Sequence, residues 1–161
     1  MQHIAAIQTR FKGYLFRSRL EARWAVFFDR CHERFVYEDQ GFHLPSGPYL
    51  PDFYLARLNI FIEIKPASML PTRNFEFGVC PIPIDDEFPL ELNLIHELSK
   101  ATCSGAVAVY GDPLDALAGG AVFTSKHGLL CGPVISYLFR NAEEAALISR
   151  EARFEHGATP R

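Results

Sequence analysis

The sequence predicts an α/β (α+β) domain, with a mixed central β-sheet flanked by helices. Three observations carry this. Apolar residues recur at helical spacing in separate segments, runs of β-branched and aromatic residues lie between them, and turn formers punctuate the boundaries. The resulting order is helix, three strands, a long excursion, helix, strand, hairpin, helix. A chain of 161 residues with 48% hydrophobic and 13% aromatic residues can bury one core, so a single domain over 1–161 is expected. That richness in apolar residues excludes a disordered chain.

The first element is a helix from Ser18 to about His32, because Leu20, Trp24, Phe27 and Phe28 fall on one side with polar residues between them. "RFVYE" (Arg34–Glu38) follows as a strand. "HLPSGPY" (His43–Tyr49) is dense in turn formers and reads as a loop. "YLPDFYLARLNIFIEIKP" (Tyr49–Pro66) reads as two strands with a short loop between them. From Pro66 to Pro89 five prolines forbid a continuous helix or a central strand, and a surface excursion or lid is expected over 66–89. Leu90 to about Lys100 reads as a helix, and "GAVAVYGDP" (Gly105–Pro113) as a buried strand ended by a turn. A hairpin turning near Lys126–Gly128 comes next. A closing helix runs from Asn141 to about His156, with Asn141 as cap and Gly157 as stop.

Charge excludes little and locates something. The net charge is -3, which does not mark a nucleic-acid binder, yet residues 1–34 carry seven basic and three acidic side chains. Binding to phosphate needs a basic surface rather than a basic whole. Cys31, Cys80, Cys103 and Cys131 form no CxxC pair and no zinc spacing, so ordinary thiols are expected. No apolar stretch approaches a membrane span, and "MQHIAAIQTRFKGY" lacks the basic start and apolar run of a secretory signal, so no membrane contact and a cytoplasmic location are expected.

The chemistry sits in the paired strands. Asp52 and Glu63 lie among residues too apolar to host an uncompensated carboxylate. With "ARLN" (Ala56–Asn59) as the hairpin loop, Leu55 pairs with Ile60, Tyr54 with Phe61, Phe53 with Ile62, and Asp52 with Glu63. Two carboxylates placed opposite repel, and a cation between them turns repulsion into ligation. Lys65 projects from the same face as Glu63, and Tyr54 and Phe61 would wall the site. Oxygen ligands without histidine or thiolate indicate Mg²⁺, with Mn²⁺ able to substitute. Such a cation activates a water and offsets charge on a phosphate. Lys65 would stabilise the transition state, orient the attacking water, or both.

"LPDFYL" followed by "FIEIKP" resembles the PD-(D/E)xK nuclease superfamily, whose pattern is an acid ending one strand and acid-x-Lys on the next. The context strengthens it: "GYLFRSRLEARWAVFFD" on a preceding helix and "YEDQGF" leading into the strand are similar to small phage and bacterial members and to the catalytic domain of some transposon end-cleaving proteins. The resemblance covers about Lys12–Lys65 strongly. It implies a restriction-endonuclease-like core and a metal-dependent nuclease, an endonuclease acting on DNA, with RNA left open. Asp52 and Glu63 would be metal ligands, Lys65 the catalytic cation, and Glu21 a helix carboxylate joining the metal site. Helix geometry agrees that Glu21 borders the Leu20/Trp24 face and looks onto the sheet. Arg17 and Arg19, with Lys12 and Arg23 weaker, suit contacts to nucleic-acid phosphates, while Arg17, four residues before Glu21, equally suits a structural pair with it. Many members carry a further polar group on the next helix, for which Glu91, Asn93, His96 and Glu97 are candidates. "REARFEHG" (Arg150–Gly157) resembles the closing helix of related small phage proteins, without a role. Two other readings stand beside the nuclease: a catalytically silent nucleic-acid-binding or protein-interaction module on the same fold, and a nuclease subunit needing a partner protein. A homodimer is neither supported nor excluded.

Overall fold

The computed structural model describes residues 7–70, 78–80, 89–125, 128–131 and 134–154, with backbone alone at 78–80 and 128–131. It is a mixed α+β structure. Among the described residues two hairpins and a seven-stranded sheet account for the strands: β1 (Thr9–Phe11) with β2 (Tyr14–Phe16), β4 (Phe42–Leu44) with β5 (Gly47–Tyr49), and the sheet β3-β6-β7-β9-β10-β11-β8. Its members are β3 (Phe35–Tyr37), β6 (Phe53–Leu55), β7 (Ile60–Lys65), β8 (Gly78–Cys80), β9 (Gly105–Tyr110), β10 (Ala121–Ser125) and β11 (Gly128–Cys131). Only β7 and β9 run parallel; the other neighbours in the sheet are antiparallel. The helices are α1 (Arg19–Arg30), α2 (Leu90–Thr102), α3 (Pro113–Leu117), α4 (Val134–Leu138) and α5 (Ala142–Glu151), with a 3-10 turn at Ala67–Met69. No helix among the described residues is long and apolar enough to cross a membrane.

The period of two along β7 sorts its side chains between two apolar clusters. Ile60, Ile62 and Ile64 join Trp24, Phe27 and Phe28 of α1, together with Phe53 and Leu55 of β6, in the larger cluster, to which α4 and α5 also contribute. Phe61 packs on the other face, where Leu92, Ile95 and Leu98 of α2 meet Ala106, Ala108 and Tyr110 of β9. Helices therefore cover both faces. Glu63 and Lys65 alternate with the isoleucines and belong to the α2 side.

Ser18 starts α1 as its N-cap: its hydroxyl accepts from the Glu21 amide at 3.1 Å and donates to the Glu21 carboxylate at 2.8 Å. This reciprocal pair satisfies an orphan amide and fixes Glu21 together. Ser18→Ala is expected to cost about 1 kcal/mol of stability, measurable by urea unfolding. The far end of the same helix is secured to the β6–β7 loop, where Arg57 donates through Nε to the buried Glu33 carboxylate at 3.0 Å.

Several sequence expectations need correction. "HLPSGPY" is not a plain loop: Leu44 pairs with Gly47 across Pro45–Ser46, and the flanks form a short hairpin, the turn formers being only its tip. Pro48 is tolerated because each strand is three residues long and pairs on one side. The β1–β2 hairpin was not expected. Its Lys12–Gly13 turn has positive φ at both positions, as a two-residue hairpin demands. "GDP" is a helix start rather than a plain turn: Asp112 caps α3 and Pro113 occupies its first position. The short helix α4 was also unexpected. The excursion contributes an edge strand, β8, while 71–77 and 81–88 lie outside the described residues. The closing helix ends at Glu151, and Asn141 occupies its cap position without a side-chain bond. Gly157, its expected stop, lies outside the described residues.

Gly111 ties the sheet to α1 near the site. Its amide donates to the Lys65 carbonyl at 2.8 Å, and its carbonyl accepts from Trp24 Nε1 at 3.0 Å. With φ of +88°, and the Asp115 side chain crowding the place where a Cβ would stand, only glycine fits without strain. Gly111→Ala is expected to cost about 2 kcal/mol, readable as a lowered urea midpoint with an unchanged slope.

Candidate functional site

The expected hairpin register is the one observed: Leu55 pairs with Ile60, Tyr54 with Phe61 and Phe53 with Ile62. The ladder ends at Phe53–Ile62, so the expected Asp52–Glu63 pair lies one step beyond it. Asp52 is 2% exposed and Glu63 7% exposed. Asp52 Oδ2 accepts from the Ile64 amide at 2.7 Å, which locks the carboxylate onto β7. Its Oδ1 accepts from Arg17 Nη2 at 2.6 Å. Glu63 Oε1 meets Lys65 Nζ at 2.7 Å, and its Oε2 accepts from the Tyr49 hydroxyl at 2.8 Å.

Burial and the neighbouring Glu63 charge push the Asp52 carboxyl up to about 7 from 3.8, against the Ile64 amide and Arg17. Burial pulls the Lys65 ammonium down, but Glu63, Asp52 and Glu91 more than compensate, and it stands above its ordinary value. Lys65 is therefore a fixed positive charge at neutral pH rather than a base. Burial and then Glu63 hold the Tyr49 hydroxyl well above its usual range, so it donates to Glu63 as a neutral group.

Glu21 is 8% exposed, as its helix position required. Its carboxylate accepts from the Ser18 hydroxyl, the Arg17 amide at 3.1 Å and the Tyr37 hydroxyl. Arg17 is the hub that joins this group to Asp52, with Nε also 2.6 Å from Glu38 Oε1. Among the described residues no three Asp, Glu, His or Cys side chains are gathered closely enough to hold a metal ion. The pair Asp52 and Glu63 nevertheless offers hard oxygens, each with a second lone pair for ligation. A cation that retains most of its waters and takes one or two carboxylates suits such a pair.

The remaining sequence candidates divide. Arg17 stands in the site. Lys12 does not: its ammonium pairs with Asp29, and Asp29 lies eight residues beyond Glu21 on α1, about 12 Å along the helix. Arg19 is exposed and lines a separate groove with Arg23 and Arg150. On α2, Glu91 lies close enough to act on Lys65. His96 is buried against the Thr124 hydroxyl at 2.9 Å, and Glu97 accepts from the Ser46 amide and hydroxyl at 2.9 and 2.7 Å. Those two serve packing and the β4–β5 hairpin. Burial pushes the Cys31 thiol up to about 12, so it is inert at neutral pH. Tyr54 and Phe61, expected to wall the site, pack with tilted rings 4.7 Å apart beside Phe42 and line a neighbouring groove of about 430 Å³.

Sequence reasoning missed Tyr37, Glu38 and Tyr49. Nothing in their spacing marks them: Tyr37 and Glu38 arrive from the end of β3 and Tyr49 from β5. Comparison of the chain with protein-family models, with curated proteins and with solved structures returns no match.

Proposed function

We propose that the chain is a metal-dependent nuclease that hydrolyses phosphodiester bonds, on a restriction-endonuclease-like core of the PD-(D/E)xK kind. The observation that carries the reading is the burial of Asp52 beside Glu63, with Lys65 against Glu63. Two carboxylates buried side by side repel when both are charged, which destabilises a fold unless a cation offsets them. Asp52 and Glu63 would hold Mg²⁺ or Mn²⁺, which supplies an activated water and neutralises charge on the scissile phosphate.

The protein's own residues do the rest. Lys65, protonated throughout the neutral range, donates to a phosphate oxygen as negative charge accumulates in the transition state. Tyr49 restrains the Glu63 carboxylate through the oxygen that Lys65 does not hold. Arg17, whose side chain is 56% exposed, is available to phosphate as well as to Asp52. Glu21 and Tyr37 act through it as positioning residues, since both are bonded to its backbone amide. DNA is the expected polymer.

The test is a cleavage time course on supercoiled plasmid, linear duplex, single-stranded DNA and RNA, each with Mg²⁺, Mn²⁺ or chelator. Cleavage in one polymer that stops with chelator supports the reading. One observation favours a second reading: all four oxygens of Asp52 and Glu63 already have partners within the protein. A silent nucleic-acid-binding module would have that closed arrangement. It is expected to bind without cleaving, under every metal condition.

A further inference from the structure

We propose that the arginine-lined groove between α1 and the end of α5 binds the phosphodiester backbone of a nucleic acid running past the carboxylate pair; this rests on the nuclease reading and names the surface that would hold its polymer. The groove, of about 680 Å³, is lined by Arg19 and Arg23 of α1 and by Arg150 and Arg153, against one lining carboxylate, Glu151. In a chain of net charge -3 this is a local concentration of guanidinium groups.

The four arginines are not equivalent. Arg150 donates to Asp112 through Nε at 2.7 Å and reaches Asp115 at 3.0 Å, and Arg23 lies 3.9 Å from Asp112. Asp112 thus fixes two walls of the groove. Arg19 and Arg153 make no ion pair among the described residues, and both are exposed. Their planar, permanently charged donors are left for an external anion, and phosphate suits them bidentately.

Position connects groove and site. Arg19 follows Arg17 by two residues on the chain, and Arg17 binds Asp52. Asp112 follows Gly111, whose amide holds the Lys65 carbonyl. The groove therefore opens at the end of β7 and β9 where Lys65 stands. A strand whose scissile phosphate lay at Lys65 would carry its flanking phosphates past α1 and α5. This gives the Arg150–Arg153 segment a role that its sequence did not disclose.

The experiment is fluorescence anisotropy of labelled single-stranded and duplex oligonucleotides with the full chain in chelator, over a series of salt concentrations. The Arg19→Ala/Arg153→Ala double variant is compared with Arg140→Ala, an exposed arginine outside the groove. The double variant is expected to weaken binding at least about tenfold and to lower the slope of log affinity against log salt by about two, one for each lost phosphate contact. Arg140→Ala should change neither. An unaltered affinity and slope in the double variant, no oligonucleotide binding at all, or equal competition by poly-glutamate would overturn the proposal, the last by assigning the groove to an acidic protein. Hydrolysis of bis-p-nitrophenyl phosphate by the unaltered protein reports the carboxylate site separately. Groove-dependent binding without hydrolysis of diester or polymer leaves the groove standing and removes the nuclease. Diester hydrolysis with groove-independent binding does the reverse.

Discussion

Lys65→Ala is expected to lower metal-dependent cleavage by about 10²–10³-fold while the chain stays folded, the loss seen when one preorganised charge is removed from a transition state. Lys65 is the one cation that touches Glu63, at 2.7 Å, among the described residues. Its ammonium is held charged by Glu63, Asp52 and Glu91 despite partial burial, so the lost interaction is electrostatic and survives across neutral pH. The variant leaves Glu63 with Tyr49 as its hydrogen-bond donor. Removing one partner of a largely buried ion pair is expected to cost about 3 kcal/mol of stability. Circular dichroism and urea unfolding check the fold, and single-turnover cleavage checks the chemistry. Lys65→Arg is expected to restore little, because a planar fork replaces a point charge. Full activity in Lys65→Ala would remove the lysine from the mechanism.

Asp52→Asn is expected to abolish cleavage and yet stabilise the protein at neutral pH. Burial, followed by the Glu63 charge, raises the folded Asp52 carboxyl to about 7 from 3.8. Between those two values the folded state keeps a proton that the unfolded chain has released. Unfolding free energy therefore falls as pH rises from about 4 to 7, and above that the whole penalty is present, with an upper bound of about 4 kcal/mol. An uncharged asparagine does not incur it. The variant should be more stable than the parent by about 2–4 kcal/mol at pH 8, with the difference shrinking towards zero near pH 4. Denaturant unfolding at the two pH values measures this directly. A variant less stable than the parent at pH 8 would mean that Arg17 and the Ile64 amide outweigh the desolvation of Asp52. Stability gained where activity is lost is the pattern of a functional site held against the interest of the fold.

What could be read from the sequence follows the range of the forces involved. The β6–β7 register followed from taking Ala56–Asn59 as the hairpin loop; the apolar alternation of Phe53, Leu55, Ile62 and Ile64 supported the two strands but did not by itself fix their pairing, which the structure shows. Asp52, Glu63 and Lys65 came with it, since strand geometry carries them. The burial of Glu21 was legible from helix spacing. The β1–β2 hairpin and α3 left signals that were there to be used: Lys-Gly between alternating residues, and Asp-Pro with an acid three positions after the cap. The arrival of Tyr49 at Glu63, 14 residues away in sequence, and of Arg17 at Asp52, 35 residues away, left none. Those contacts depend on how the β4–β5 hairpin and the start of α1 dock on the sheet, which no local pattern encodes. Lys12 shows the converse: near Arg17 in sequence, it is turned by its hairpin towards Asp29 and away from the carboxylates.

Everything proposed for the site depends on Asp52 and Glu63 being paired for a divalent cation. A thermal melt against Mg²⁺ concentration at pH 8 tests this whichever polymer the protein cleaves. Binding to the folded chain alone raises the melting temperature with cation concentration. The expected result is a rise in the parent protein that disappears in both Asp52→Asn and Glu63→Gln. A melting temperature that stays flat up to tens of millimolar Mg²⁺, or one that rises equally in all three proteins, would show that the pair is not a cation site.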